Sequence, residues 1–153
     1  MSINQSNVKP KFSAWVLIVD DNDEDRNLTS NLFKDYGCTV FDTGDTNLAL
    51  EMCKEVDYNI IISELFLPTN KGFEFAQNLR NLPNGIHKYL VGYSRNITNK
   101  EIVMQCIKSG MTDCMRKPIN NMTIEARLHA WDIKKEYIHD KIIKSKGDGF
   151  GVF

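Results

Sequence analysis

Four charged side chains stand at the ends of separate short apolar runs. Asp20 and Asp21 close WVLIV, Glu64 closes NIIIS, and Lys117 follows CMR and precedes Pro118. Short runs rich in Val and Ile, bounded by turn residues, read as buried strands. In a parallel sheet the carboxyl ends of such strands share one edge, and ligands bind there. Three carboxylates and an ammonium would then converge on one site. Lys117 supplies the positive neighbour that clustered carboxylates need to stay ionised.

The elements that must position these groups alternate along the chain. Strands are read at 15–20, 38–43, 59–64, 87–94 and 112–116. Between them, helical spacing runs from Asp23 to a stop at Gly37, from Thr46 to Val56, from Phe73 to Leu82, and from a Thr98-x-x-Glu101 capping box to Gly110. From Asn121 helical spacing resumes and continues to about Lys146. Five strands alternating with five helices predict an α/β fold, a doubly wound parallel sheet covered on both faces. Periodicity does not choose the strand order.

Composition removes several classes of function. A formal net charge of −1 gives no electrostatic reason to expect nucleic acid or an anionic membrane surface. No apolar stretch is long enough to span a bilayer, and the start MSINQSNVKPK has no apolar signal core. Cys38, Cys53, Cys106 and Cys114 show no CxxC spacing and read as reduced, mostly buried thiols of a cytoplasmic protein. Neither GxGxxG nor GxxxxGK[ST] occurs, which argues against a nucleotide site.

VLIVDDN, IISELFLPTNKG, VGYS and MRKP, in this order and spacing, resemble the receiver domain of two-component response regulators. The resemblance runs from about Ala14 to Lys135. It implies a flavodoxin-like sheet of order 2-1-3-4-5, and an aspartate that takes a phosphoryl group from a histidine kinase with Mg²⁺ assisting. Under it, Asp20 and Asp21 are the acid pair holding Mg²⁺, and Phe66 offers its backbone carbonyl to the metal. Ser94 is the hydroxyl that contacts the phosphoryl group. Lys117 is the matching lysine, with Pro118 after it, often through a cis bond. Pro68 is the loop proline, and four residues before it the phosphoacceptor position holds Glu64. Lys71 replaces the acid usual before Gly72, and Cys114 stands where an aromatic is common.

Aspartate to glutamate matters because acyl phosphate formation needs a carboxylate oxygen in line with the donor phosphorus. One methylene moves that oxygen by roughly 1 Å, and such a misplacement costs on the order of a hundredfold in rate. The longer arm also reaches toward Lys117 and Ser94 without phosphorylation. The resulting expectation is a pseudo-receiver acting by protein–protein interaction. The alternatives are an active receiver phosphorylated on Glu64, or a flavodoxin-like small-ligand binder. Plainer roles stay open beside these: Asp21 or Asn22 as a helix cap, Lys117 as a structural counter-ion, Ser94 as a turn residue.

Ile124, Leu128, Trp131, Ile138 and Ile142 follow a 4-3-7-4 spacing, so the last helix is expected to outrun the domain and to offer a surface for a homodimer. The expected division is a polar arm at 1–13, a receiver-like domain at 14–135, and a helix extension with a Gly-rich tail at 136–153.

Overall fold

The apolar runs form the strands of one parallel sheet. The computed structural model describes residues 10–68, 72–85, 89–131, 133, 135 and 136. The chain runs through β1 (Lys11–Phe12), β2 (Trp15–Val19), α1 (Asp23–Asp35), β3 (Thr39–Thr43), α2 (Thr46–Glu55) and β4 (Ile60–Glu64). It continues through α3 (Gly72–Arg80), β5 (Tyr89–Ser94), α4 (Lys100–Lys108), β6 (Asp113–Arg116), α5 (Asn121–Ala130) and β7 (Lys135–Glu136). The five-stranded sheet has the order β3-β2-β4-β5-β6, and every pairing in it is parallel. Counting only its own strands, this is the flavodoxin-like order 2-1-3-4-5.

Side-chain alternation divides the core between the two faces. Val16, Ile18, Ile60, Ile62, Val91 and Tyr93 pack with Phe33 of α1 and with Ile124 and Leu128 of α5. Leu17, Val19, Ile61 and Leu90 pack with Ala49 and Cys53 of α2, Phe75 and Leu79 of α3, and Cys106 of α4. Burial on both faces is why β2 and β4 read as unbroken apolar runs. The expected buried thiols are found at Cys38, Cys53 and Cys106, while Cys114 is half-buried.

Polar side chains start four of the helices. Asn22 accepts from the Asp25 N–H, Asp45 from those of Asn47 and Leu48, Asn99 from Ile102, and Asn120 from Thr123. The cap of α4 is therefore Asn99, one residue after the expected Thr98. Gly37 follows α1 at φ +84°, a left-handed backbone that glycine adopts without strain.

The last helix is shorter than the sequence pattern predicts. Ile124, Leu128 and Trp131 are buried as expected, but α5 ends at Ala130, with Trp131 as its C-cap. The Trp131 ring stacks on Tyr89 at 6.0 Å. The Ile133 N–H reaches back to the Leu128 carbonyl at 3.1 Å, a bond from beyond the helix end that closes its final turn. Lys135 and Glu136 then form β7, antiparallel to β1. Anchoring of Trp131 and strand pairing override the helical spacing at this point. Ile138 and Ile142 lie outside the described residues. β1 itself falls within the stretch expected to be a polar arm, yet Phe12 is 1% exposed. Its ring meets Tyr36 and His129 edge-on at 6.0 and 5.5 Å, and its N–H donates to the Tyr36 carbonyl.

Candidate functional site

Register brings the chemistry-bearing residues together. Val19 lies opposite Ser63, and Glu64 opposite Tyr93. One step beyond Val19, Asp20 is level with Glu64, so Asp20, Glu64 and Tyr93 project from one edge toward the face covered by α1 and α5. Ser94 pairs with Arg116, and the Lys117 N–H donates to the Ser94 carbonyl at 3.1 Å. The Lys117–Pro118 peptide is cis.

The Lys117 ammonium lies at the centre. Its Nζ donates to Asp20 Oδ2 at 2.8 Å, to Glu64 Oε1 at 2.7 Å and to Asp25 Oδ2 at 3.0 Å. It also sits 4.4 Å from the centroid of the Tyr93 ring, whose hydroxyl donates to Asp20 Oδ2 at 2.6 Å. Asp20 is 0%, Lys117 6% and Glu64 9% exposed. The second Glu64 oxygen accepts from the Phe66 N–H at 2.9 Å, and Asp20 Oδ1 accepts from the Asn22 N–H at 3.0 Å. Arg95 reaches across from the start of the loop after β5, its guanidinium gripping both oxygens of Asp25.

Electrostatics follow from these contacts. Burial alone would pull the Lys117 pKa down, but hydrogen bonds to Asp20, Glu64 and Asp25 outweigh it and hold the pKa above its ordinary value. The Arg95 guanidinium holds the Asp25 carboxyl below the usual carboxylate range. Burial, followed by the negative charge of Asp20, raises the pKa of the Tyr93 phenol.

Of the residues read from the sequence, Asp20, Glu64 and Lys117 are brought into contact. Ser94 is buried at the same edge, where its hydroxyl accepts from the Asn96 N–H at 3.1 Å, a turn bond. Asp21 is exposed, and Phe66 is 44% exposed with its ring edge-on to Phe73 at 6.0 Å. Asn22 takes the cap role considered for it. Lys71 lies outside the described residues. Asp25, Tyr93 and Arg95 were missed. Asp25 reads as one of three acids that suit a helix N-terminus, and Tyr93 as a strand aromatic. The signal available was that Asp25 follows Asp20 by five residues and faces the sheet.

Gly72 sets the closeness of the loop after β4. A Cβ there would collide with the Glu64 carbonyl and come within 2.8 Å of Leu65 Cα. The Gly72 N–H donates to the Leu65 carbonyl at 2.9 Å. Among the described residues no three metal-ligating side chains group as they would around an ion, Asp20 and Glu64 both being turned to the Lys117 ammonium. Every buried side-chain N or O atom among them already has a partner. The surface grooves lined by Asp45, Leu48 and Leu82, and by Lys100, Met104 and Lys108, include none of the cluster residues.

Comparisons with known proteins agree on one family. The response regulator receiver domain matches residues 16–129. Sensor histidine kinase RcsC of Escherichia coli K12 is 26% identical over 121 residues, covering 79% of this chain but only 12% of RcsC. The chemotaxis response regulator CheY4 of Vibrio cholerae superposes with a TM-score of 0.72 at 27% identity, covering 78% of this chain and 98% of its own. The receiver domain of sensor histidine kinase PA1611 from Pseudomonas aeruginosa, solved with a magnesium ion in its active-site cleft, shares the fold at 21% identity. Its TM-score is 0.71, with 78% of this chain and 97% of that one covered. With the sheet order, the edge cluster and a match spanning most of the sequence in agreement, the chain belongs to the response regulator receiver domain family.

Proposed function

We propose that this receiver domain is a pseudo-receiver: an interaction module of a phosphorelay, regulated by something other than aspartyl phosphorylation. The observation that carries the reading is the seat of Glu64. Its carboxylate already bonds Lys117 at 2.7 Å and the Phe66 N–H at 2.9 Å, and occupies space an incoming phosphoryl group would need. In-line transfer depends on placement of the acceptor oxygen, so a longer, internally bonded acceptor is a poor one. In this role Asp20, Asp21 and Lys117 shape the edge, and Ser94 closes β5. The domain acts on no external substrate. Its partner is a histidine kinase or another signalling protein of the cytoplasm, consistent with the likeness to a sensor histidine kinase. Among the described residues no helix is long and apolar enough to cross a membrane.

The test is intact mass after incubation with Mg²⁺ and a small-molecule phosphodonor, for wild type and Glu64→Asp side by side. An unmodified wild type with a phosphorylated Glu64→Asp is expected. A phosphorylated wild type would establish the other reading, an active receiver with Glu64 as acceptor. The reading extends to self-association on the later helices, where Met104, Ile107 and Met122 are exposed. Sedimentation of wild type and Ile107→Asp is expected to show a dimer only in the former, and a monomer in both removes that part.

A further inference from the structure

We propose that Lys117 is the resident cation of this site and that Asp25, from α1, completes its cage, so the carboxylates are held together without metal. The ammonium has three N–H groups, and each meets a different carboxylate: Asp20, Asp25 and Glu64. The Tyr93 ring closes the remaining side at 4.4 Å, where its π-face favours a cation.

The carboxylate oxygens are engaged from the other direction. Asp20 Oδ1 takes the Asn22 N–H, and Oδ2 takes Lys117 and the Tyr93 hydroxyl. Both Asp25 oxygens take Arg95, and one also takes Lys117. Glu64 divides its pair between Lys117 and the Phe66 N–H. Each oxygen of these three carboxylates thus has at least one donor from the chain itself, and of the expected metal-holding acids only Asp21, exposed beside Asp20, stands outside the cage. Magnesium demands near-octahedral oxygen ligands at about 2.0–2.1 Å, and entering here it would displace the ammonium or lie against it. Two such charges about 4 Å apart repel strongly in a partly buried site. Asp25 makes the difference between a lysine beside an acid pair and a lysine enclosed by three carboxylates. Arg95 then balances the added negative charge from the solvent side, its side chain 55% exposed.

The proposal concerns which cation the site holds, whereas the mass measurement reads whether Glu64 accepts a phosphoryl group, so either can fail alone. It is tested by following thermal unfolding with Mg²⁺ and luminescence with Tb³⁺, the Tyr93 phenol beside Asp20 serving as sensitiser. Wild type is expected to show no stabilisation up to about 10 mM Mg²⁺, well above the roughly millimolar affinity of weak oxygen-ligated sites. Lys117→Met is expected to bind Tb³⁺ at least about tenfold more tightly than wild type and to gain Mg²⁺ stabilisation, because vacated carboxylates are hard-cation ligands. Lys117→Met combined with Asp25→Asn is expected to lose that gain. Stabilisation of wild type by millimolar Mg²⁺ would overturn the proposal. So would a folded Lys117→Met that gains nothing, or a double variant that keeps the gain. Should Lys117→Met fail to fold, Lys117→Gln replaces it with the same expected gain, and stabilisation of wild type refutes the resident lysine in either case.

Discussion

Tyr93 supports the charged cluster from below. Its hydroxyl gives the fully buried Asp20 a hydrogen bond at 2.6 Å, and its ring lies under Lys117. Removing only the hydroxyl, as Tyr93→Phe, is expected to cost about 1–3 kcal/mol, the range for depriving a buried charged acceptor of a partner. Urea denaturation measures this, and an unchanged midpoint would show that Lys117 and the Asn22 N–H suffice for Asp20. Asp20, Glu64 and Lys117 were legible in the sequence because each ends an apolar run, and strand ends converge in any parallel sheet. Asp25 and Arg95 were not legible, because their meeting depends on how α1 turns against the loop after β5. An acid in a helix's first turn already has a sufficient local explanation.

Among the elements, the loop from β4 to α3 depends on Gly72. Gly72→Ala is expected to push the loop away from the Glu64 carbonyl, with a loss of roughly 1–3 kcal/mol typical of overpacking. Loss of the Phe66 N–H bond to Glu64 should accompany it, visible as a shifted Phe66 amide resonance. The three central strand runs were readable to within a residue or two, because burial on both sides leaves few polar residues to blur them. The end of α5 was not. Its periodicity continues past Trp131, but Trp131 is anchored on Tyr89 and the chain leaves the helix to pair with β1. Phe12→Ala tests how much that addition contributes. It empties a buried site between Tyr36 and His129, and about 3–5 kcal/mol of stability is expected to go with it, read from the unfolding midpoint.

For the molecule as a whole, stability is expected to fall on the alkaline side. Burial pushes the Cys38 and Cys106 thiols up to about 12, from an ordinary value of 9.0. Between those values the unfolded chain has released these protons and the folded one has not, so rising pH favours unfolding. Their contribution is complete below about pH 9 and is lost as pH climbs toward about 12. Thermal midpoints across that range check the direction. Replacing Cys38 by Ala should flatten the slope. The sheet order was legible only through the family resemblance, since strand and helix spacing alone permits several windings.

The short ribbon of β1 and β7 decides how such a domain can be carried. Lys11 lies across from Glu136 and Phe12 across from Lys135, so the incoming and outgoing chain stand side by side, about 5 Å apart as in any antiparallel pair. The fold is therefore a cassette with a single doorway. It can be spliced into an exposed turn of a host protein without prising that turn open, and it is a natural scaffold for circular permutation.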